Sequence, residues 1–177
     1  MSGRTIWITG LSGAGKSTLS RILVRKLQEI EPRTIFLDGD ELREVMSAAA
    51  WDGGDHDRNQ RLGLAMRYAR LCRLLAAQGF TVVIATISLF REVQTWNREN
   101  QPNYFEIYLK VPIDELRRRD PKGIYRRHAT GEIRNVAGLD FDIDEPEQPE
   151  FLIEFEHGRS PEDAANEIFL KLAREYI

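Results

Sequence analysis

A chain of 177 residues has room for one domain with a real core and is short for two. Its 42% hydrophobic and 30% charged content is ordinary for a globular protein, and a net charge of −3 leaves no global basic field for nucleic acid. The single cysteine, Cys72, excludes an internal disulfide and suits a reducing cytoplasm, no apolar run approaches membrane-spanning length, and Met1 to Arg4 lead into a strand rather than a signal peptide.

Thr5-Ile6-Trp7-Ile8 is short, apolar and β-prone. It runs into Gly10-Leu11-Ser12-Gly13-Ala14-Gly15-Lys16-Ser17, which fits the phosphate-binding pattern G-x-x-x-x-G-K-[ST] at every fixed position, and Thr18 to Gln28 then reads as a helix. Strand, glycine-rich turn and helix is the context this chemistry needs. Backbone N–H groups of Gly10, Ser12, Gly13, Ala14, Gly15 and Thr18 are expected to line a nest for phosphate at the helix N-terminus. Lys16 adds a cation near the β- and γ-phosphates, and the Ser17 hydroxyl is placed to ligate Mg²⁺. The pattern implies a nucleoside triphosphate; by itself it does not separate switch, motor and kinase.

Pro32 stops the first helix, and Thr34 to Leu37 is a second strand with Asp38-Gly39-Asp40 at its C-terminal end, the edge where ligands gather in open α/β sheets. One of these carboxylates can hold the hydration shell of Mg²⁺ and the other can accept a proton from an attacking hydroxyl; Asp40 can also cap the following helix. Glu41 to Ala50 reads as a helix and Trp51 to Asp57 as a loop. Arg58 to Ala77 carries apolar residues at helical spacing, with Cys72 among them as a buried thiol and Arg61 near the loop end, facing the site. Phe80 to Thr86 is a central buried strand. After it come Ile87 to Arg91, a helix to about Asn100, a strand over Tyr104 to Leu109 and a short helix over Pro112 to Arg119.

The segment 117–140 is basic and glycine-punctuated and reads as a lid whose cations close over the transferring phosphoryl group, with Arg119 and Lys122 as main candidates. His128 reads as a solvated lid residue. Asp142 to Glu150 is acidic and extended, Phe151 to Phe155 is a last strand, and Ser160-Pro161-Glu162-Asp163 opens a final helix running to Ile177. Five strands alternating with helices predict an α/β fold, a parallel sheet with helices on both faces.

Several runs resemble adenylyl-sulfate (APS) kinase, a family of P-loop nucleoside-triphosphate kinases. They are Trp7 to Thr18, Leu37 to Arg43, Ile87-Ser88 with Phe90-Arg91, Arg119 to Tyr125, Gly131 to Asn135 with Gly138 to Asp140, and Pro146 to Glu150. The match covers nearly the whole chain in order. It implies one P-loop kinase domain over 1–177, a basic lid, and transfer of the ATP γ-phosphate to the 3′-hydroxyl of adenosine 5′-phosphosulfate with Mg²⁺. By position it makes Asp40 the base, beside Lys16 and Asp38. It puts Arg43, Arg61, Ile87, Ser88, Leu89, Arg134, Asn135 and Val136 at the acceptor, with Arg58 able to serve there if the preceding loop shifts. Family members are often dimers, so the resemblance admits a homodimer; its other implied partner is a small nucleotide acceptor.

Departures from the family cluster on the acceptor side. Gly53 to Arg61 lacks the usual phenylalanine and keeps only Arg61 in register, Leu89 replaces a proline, and Val136 replaces an aromatic able to stack on adenine. Trp96 belongs either to the core or to a new acceptor wall. The donor side is intact. An alternative acceptor is therefore another nucleotide-linked compound, such as the cytidine diphosphoramidate phosphorylated by relatives in capsule or surface-polysaccharide pathways. A non-catalytic nucleotide-binding homologue is a second alternative, and intact Lys16, Ser17, Asp38 and Asp40 argue against it.

Overall fold

The computed structural model describes residues 3–47 and 57–174. The five strands are β1 (Arg4–Gly10), β2 (Thr34–Asp38), β3 (Thr81–Thr86), β4 (Tyr104–Lys110) and β5 (Phe151–Glu154). They form one sheet in the order β2-β3-β1-β4-β5, and every neighbouring pair is parallel. The helices between them are α1 (Lys16–Ile30), α2 (Gly39–Ser47), α3 (Arg58–Ala77), α4 (Arg91–Asn100), α5 (Ile113–Arg119), α6 (Ile124–Ala129) and α7 (Pro161–Arg174).

Strand alternation divides the core into two. Ile6 and Ile8 of β1 face α1 and α7, where Leu23, Leu27, Ile168 and Leu172 bury against Phe105 and Ile107. Trp7 between them faces the other way and packs with Val82, Ile84, Tyr68, Cys72 and Val93 under α3 and α4. The all-apolar β3 is buried along its whole length, as a central parallel strand must be. Cys72 is fully buried, and burial pushes its thiol well above the usual range, so it is inert. Trp96 packs partly buried against this second cluster and does not line the cavity beside the sheet edge, which settles it as core.

Helix boundaries follow their caps. Asp57 and Gln60 form a reciprocal capping box at α3, and Ser160 and Asp163 do the same at α7. At α2 the cap is not Asp40: the Asp38 carboxylate accepts the Asp40 N–H at 3.0 Å, which leaves the Asp40 side chain free for the cleft. The middle residue of that triplet must be glycine, since a Cβ on Gly39 would lie 2.9 Å from the Ala85 carbonyl oxygen. One element was not expected. Segment 117–140 contains α6, whose first turn is held by the Asp120 carboxylate accepting the Tyr125 and Arg126 N–H groups at 3.1 and 3.0 Å. The expected loop 51–57, apart from Asp57, and the ends of the expected helices at 48–50 and 175–177 lie outside the described residues.

Candidate active site

Two adjoining cavities open at the C-terminal edge of the sheet. The first, about 350 Å³, is lined by Ser12, Gly13, Gly15, Lys16, Ser17 and Thr18 of the glycine-rich turn, by Asp38, Asp40 and Arg43, and by Arg119 and Lys122. The second, about 240 Å³, is lined by Arg43, Arg61, Tyr68, Ile87, Ser88, Leu89, Ile133, Arg134, Val136 and Phe141 among others. Ser12, Arg43, Thr86 and Ile87 line both, so they form the shared wall.

Within the first cavity Lys16 donates to the Leu11 carbonyl at 2.9 Å. Burial, with the nearby Lys122 charge, pushes its ammonium down to about 8, against the pull of Asp40 and Asp38. Ser17 Oγ donates to Asp38 Oδ2 at 2.6 Å. This hydroxyl–carboxylate pair is a hard-oxygen donor set. No group of three or more His, Cys, Asp or Glu side chains suited to a metal occurs among the described residues. An ion held here would draw most ligands from water and phosphate oxygens, which is how Mg²⁺ binds. Lys122 makes a short ion pair with Asp40, and Arg43 sits 3.4 Å from the same carboxylate. Burial pulls the Asp40 carboxyl upward, but Lys122, then Arg43 and Lys16, hold it below the usual range. Arg43 Nε is buried and has no hydrogen-bond partner among the described residues.

Arg119 ion-pairs with Glu115 at 2.7 Å, approaches the Gly13 carbonyl at 3.5 Å and lies over the Phe155 ring at 5.0 Å. Arg119 and Gly15 continue into a third hollow of about 270 Å³, lined by Leu109, Ile153, Phe155, Arg159 and Pro161. With apolar residues on its wall, charged ones at Glu154, Glu156 and Arg159, and the phosphate nest beside it, it has room for a nucleobase.

The walls of the second cavity are apolar, aliphatic side chains with Tyr68, Phe90 and Phe141 among them, and cations stand at the edge. Thr86 and Ser88 share a hydroxyl–hydroxyl hydrogen bond of 2.7 Å, and Ser88 carries a strained φ of +24°. Arg61 lies over Phe141 at 4.8 Å. Leu89 and Val136 are buried there, and Val136 N–H is anchored on Asp140 at 2.7 Å. Arg58 and Asn135 do not line the cavity. Arg58 instead makes a bidentate pair with Glu92 at 2.8 and 3.0 Å and reaches Asp144 at 3.5 Å. Asn135 forms the turn above, its N–H bound to Asp140 at 2.9 Å. His128 pairs with Asp140 at 3.1 Å and is half-buried, so it braces this turn.

Residues that sequence reasoning missed are Tyr68, Phe141, Phe155 and Tyr125. Tyr68 donates to the Gly39 carbonyl at 3.1 Å, holding the Asp-Gly-Asp turn from α3. Helical spacing marked its neighbours as core and gave no sign of this reach. Phe141 and Phe155 carry no local motif at all.

Comparison with known proteins agrees with this geometry. The family model described as adenylylsulphate kinase matches residues 2–154. The cytidine diphosphoramidate kinase of Campylobacter jejuni is 42% identical over 142 residues, spanning 80% of this chain and 81% of that protein. The adenylyl-sulfate kinase of Pseudomonas aeruginosa is 38% identical over 151 residues, spanning 84% and 75%. Among solved structures, the Mycobacterium tuberculosis APS kinase in complex with AMPPNP and APS superposes with a TM-score of 0.86 at 31% identity, covering 97% of this chain and 98% of that one. A parallel five-stranded sheet with the phosphate loop after its middle strand, and sequence matches over most of the chain, lead to one assignment: this protein belongs to the adenylylsulphate kinase family.

Proposed function

We propose that this ATP-dependent phosphotransferase delivers the γ-phosphoryl group to a hydroxyl of a cytidine diphosphate-linked acceptor of the cytidine diphosphoramidate kind. The observation that carries this reading is the aliphatic stretch of the 240 Å³ cavity wall formed by Val136, Leu89 and Ile133, with Val136 standing where the family usually has an aromatic able to stack on adenine. Phe141 and Phe90, which line the same cavity, do not make up for it, because the guanidinium groups of Arg61 and Arg58 already lie over their rings at 4.8 and 5.4 Å. A pyrimidine offers less surface to stack and loses less from the exchange. The 42% identity to a cytidine diphosphoramidate kinase supports the same choice. Adenosine 5′-phosphosulfate is the second reading, favoured by the close superposition on a kinase solved with APS.

The donor enters with its phosphates on the nest from Gly10 to Thr18 and its base in the hollow lined by Leu109, Ile153 and Pro161, beside the stacked Arg119 and Phe155. Lys16 neutralises the β- and γ-oxygens. Ser17 and Asp38 would hold Mg²⁺, which would draw charge from the phosphate oxygens. The triphosphate offers Lys122 more charge than Asp40 does, so Lys122 moves to the γ-phosphate as the basic lid closes. That frees the Asp40 carboxylate to accept the proton of the acceptor hydroxyl as the oxygen attacks. Arg43, on the shared wall, brings a guanidinium to both substrates, and Arg61 and Arg134 face the acceptor's anionic groups.

The test offers ATP with cytidine diphosphate derivatives, adenosine 5′-phosphosulfate and plain nucleotides in parallel, and compares kcat/KM. A lost aromatic stack is worth about 1 kcal/mol or somewhat more, so the cytidine compound should lead by about five- to tenfold or better. A clear lead for adenosine 5′-phosphosulfate would overturn the cytidine reading and leave the kinase assignment standing.

A further inference from the structure

Leu11 to Ala14 is a tight turn within the glycine-rich loop. The Ala14 N–H returns to the Leu11 carbonyl at 3.2 Å, and Gly13 holds φ at +80°. A left-handed φ at the third position marks a type II turn; a type I turn of the same four residues has a negative φ there. The two interconvert by a flip of the central peptide, here Ser12–Gly13. Glycine adopts both conformations at little cost, so the sequence of the turn does not choose between them.

A residue outside the turn does. Tyr125, in α6, donates its hydroxyl to the Ser12 carbonyl at 2.8 Å across a sequence separation of 113. Its ring is buried among Leu116, Ile133 and the α1 core, and burial pushes the phenol up to about 12, so it stays a donor at any working pH. Its backbone is fixed from below by the Asp120 carboxylate. In a trans peptide the carbonyl and the following N–H point in opposite directions, and no cis peptide bond is present among the described residues. Holding the Ser12 oxygen towards α6 therefore aims the Gly13 N–H away from it, on the side where Gly13 lines the phosphate cleft.

We propose that Tyr125 is a positioning residue for the phosphate donor: its hydroxyl locks the Ser12–Gly13 peptide in the type II setting that presents the Gly13 N–H to phosphate. Because Ser12 also lines the acceptor cavity, the same bond fixes the wall between the two substrates. The proposal rests on the kinase assignment and not on the identity of the acceptor.

Tyr125→Phe keeps the buried ring and removes only the hydroxyl. Titration with ADP and with a non-hydrolysable ATP analogue, without acceptor, should show affinity lower by about five- to tenfold, the value of one hydrogen bond. Gly13→Ala attacks the same turn from the other side. Its Cβ would meet Pro121 at an ordinary 3.4 Å, so its penalty comes from the φ of +80°. The double variant should bind no more weakly than Gly13→Ala alone, since a turn already flipped has no carbonyl left for Tyr125 to hold. Unchanged affinity in Tyr125→Phe beside a binding parent, or fully additive losses in the double variant, overturns the tyrosine's role. A parent that binds neither nucleotide overturns the kinase assignment and the proposal together.

Discussion

Lys16 is cationic by a narrow margin before any nucleotide arrives. Burial and the Lys122 charge bring its ammonium down to about 8, so above that pH the free site has increasingly lost its proton. A bound polyphosphate favours the cation and raises the value again. Binding above pH 8 must therefore take up a proton, and affinity should fall with rising pH by up to about tenfold per unit, while staying flat below about pH 7. Calorimetric titrations in buffers of different ionisation enthalpy would show the uptake; a pH-independent affinity from 7 to 9.5 would contradict it. Asp40 faces the opposite constraint. Paired with Lys122 and Arg43, it is a weak base in the free protein, and the donor must draw Lys122 away before it can act. Asp40→Ala should lower single-turnover kcat by about 10²- to 10⁴-fold, while ATP binding persists. Near-parent turnover at saturating substrates would remove Asp40 from the base role.

Helix α3 separates two arginines that look equivalent in the sequence. Arg61 reaches the acceptor cavity over Phe141, whereas Arg58, one turn earlier, ties α3 to Glu92 and Asp144 on the outside. Arg61→Ala should cost the acceptor kcat/KM by more than about tenfold, the scale of a charged hydrogen bond. Arg58→Ala, which breaks an exposed pair, should cost at most about three- to fivefold, and the comparison of the two variants checks the division. Strong patterns carried most of the chain: alternating strands, the phosphate loop, Asp-Gly-Asp and the serine cap of α7 each express their structure within a few residues. Helix α6 escaped because six residues following a glycine show too little periodicity, and its stabilising carboxylate, Asp120, resembles any surface acid. The Tyr125–Ser12 and Tyr68–Gly39 bonds escaped for a different reason. They join residues far apart in sequence, and only the packed fold brings them together.

At the scale of the molecule, the sheet order puts the phosphate loop after the middle strand, with β3 delivering Thr86 to Leu89 on one side and β4 the donor hollow on the other. The donor hollow and the acceptor cavity share no lining residue; both adjoin the phosphate cleft with its wall of Ser12, Arg43, Thr86 and Ile87, and both adjoin a further hollow that shares Phe141 and Ile143 with the acceptor cavity and Leu109 and Phe155 with the donor hollow. The departures from the family pattern at Leu89 and Val136 fall on the acceptor side of that wall, and neither residue lines the cleft proposed to hold the donor phosphates. Changing the acceptor should therefore leave donor recognition intact. Across a panel of acceptors whose kcat/KM values differ by tenfold or more, the KM for ATP should vary by no more than about twofold, because none of the ATP contacts is remade. An ATP KM that tracked acceptor identity would mean that the shared wall moves between complexes, and Ser12, held from α6 by Tyr125, would be the first place to look for that movement.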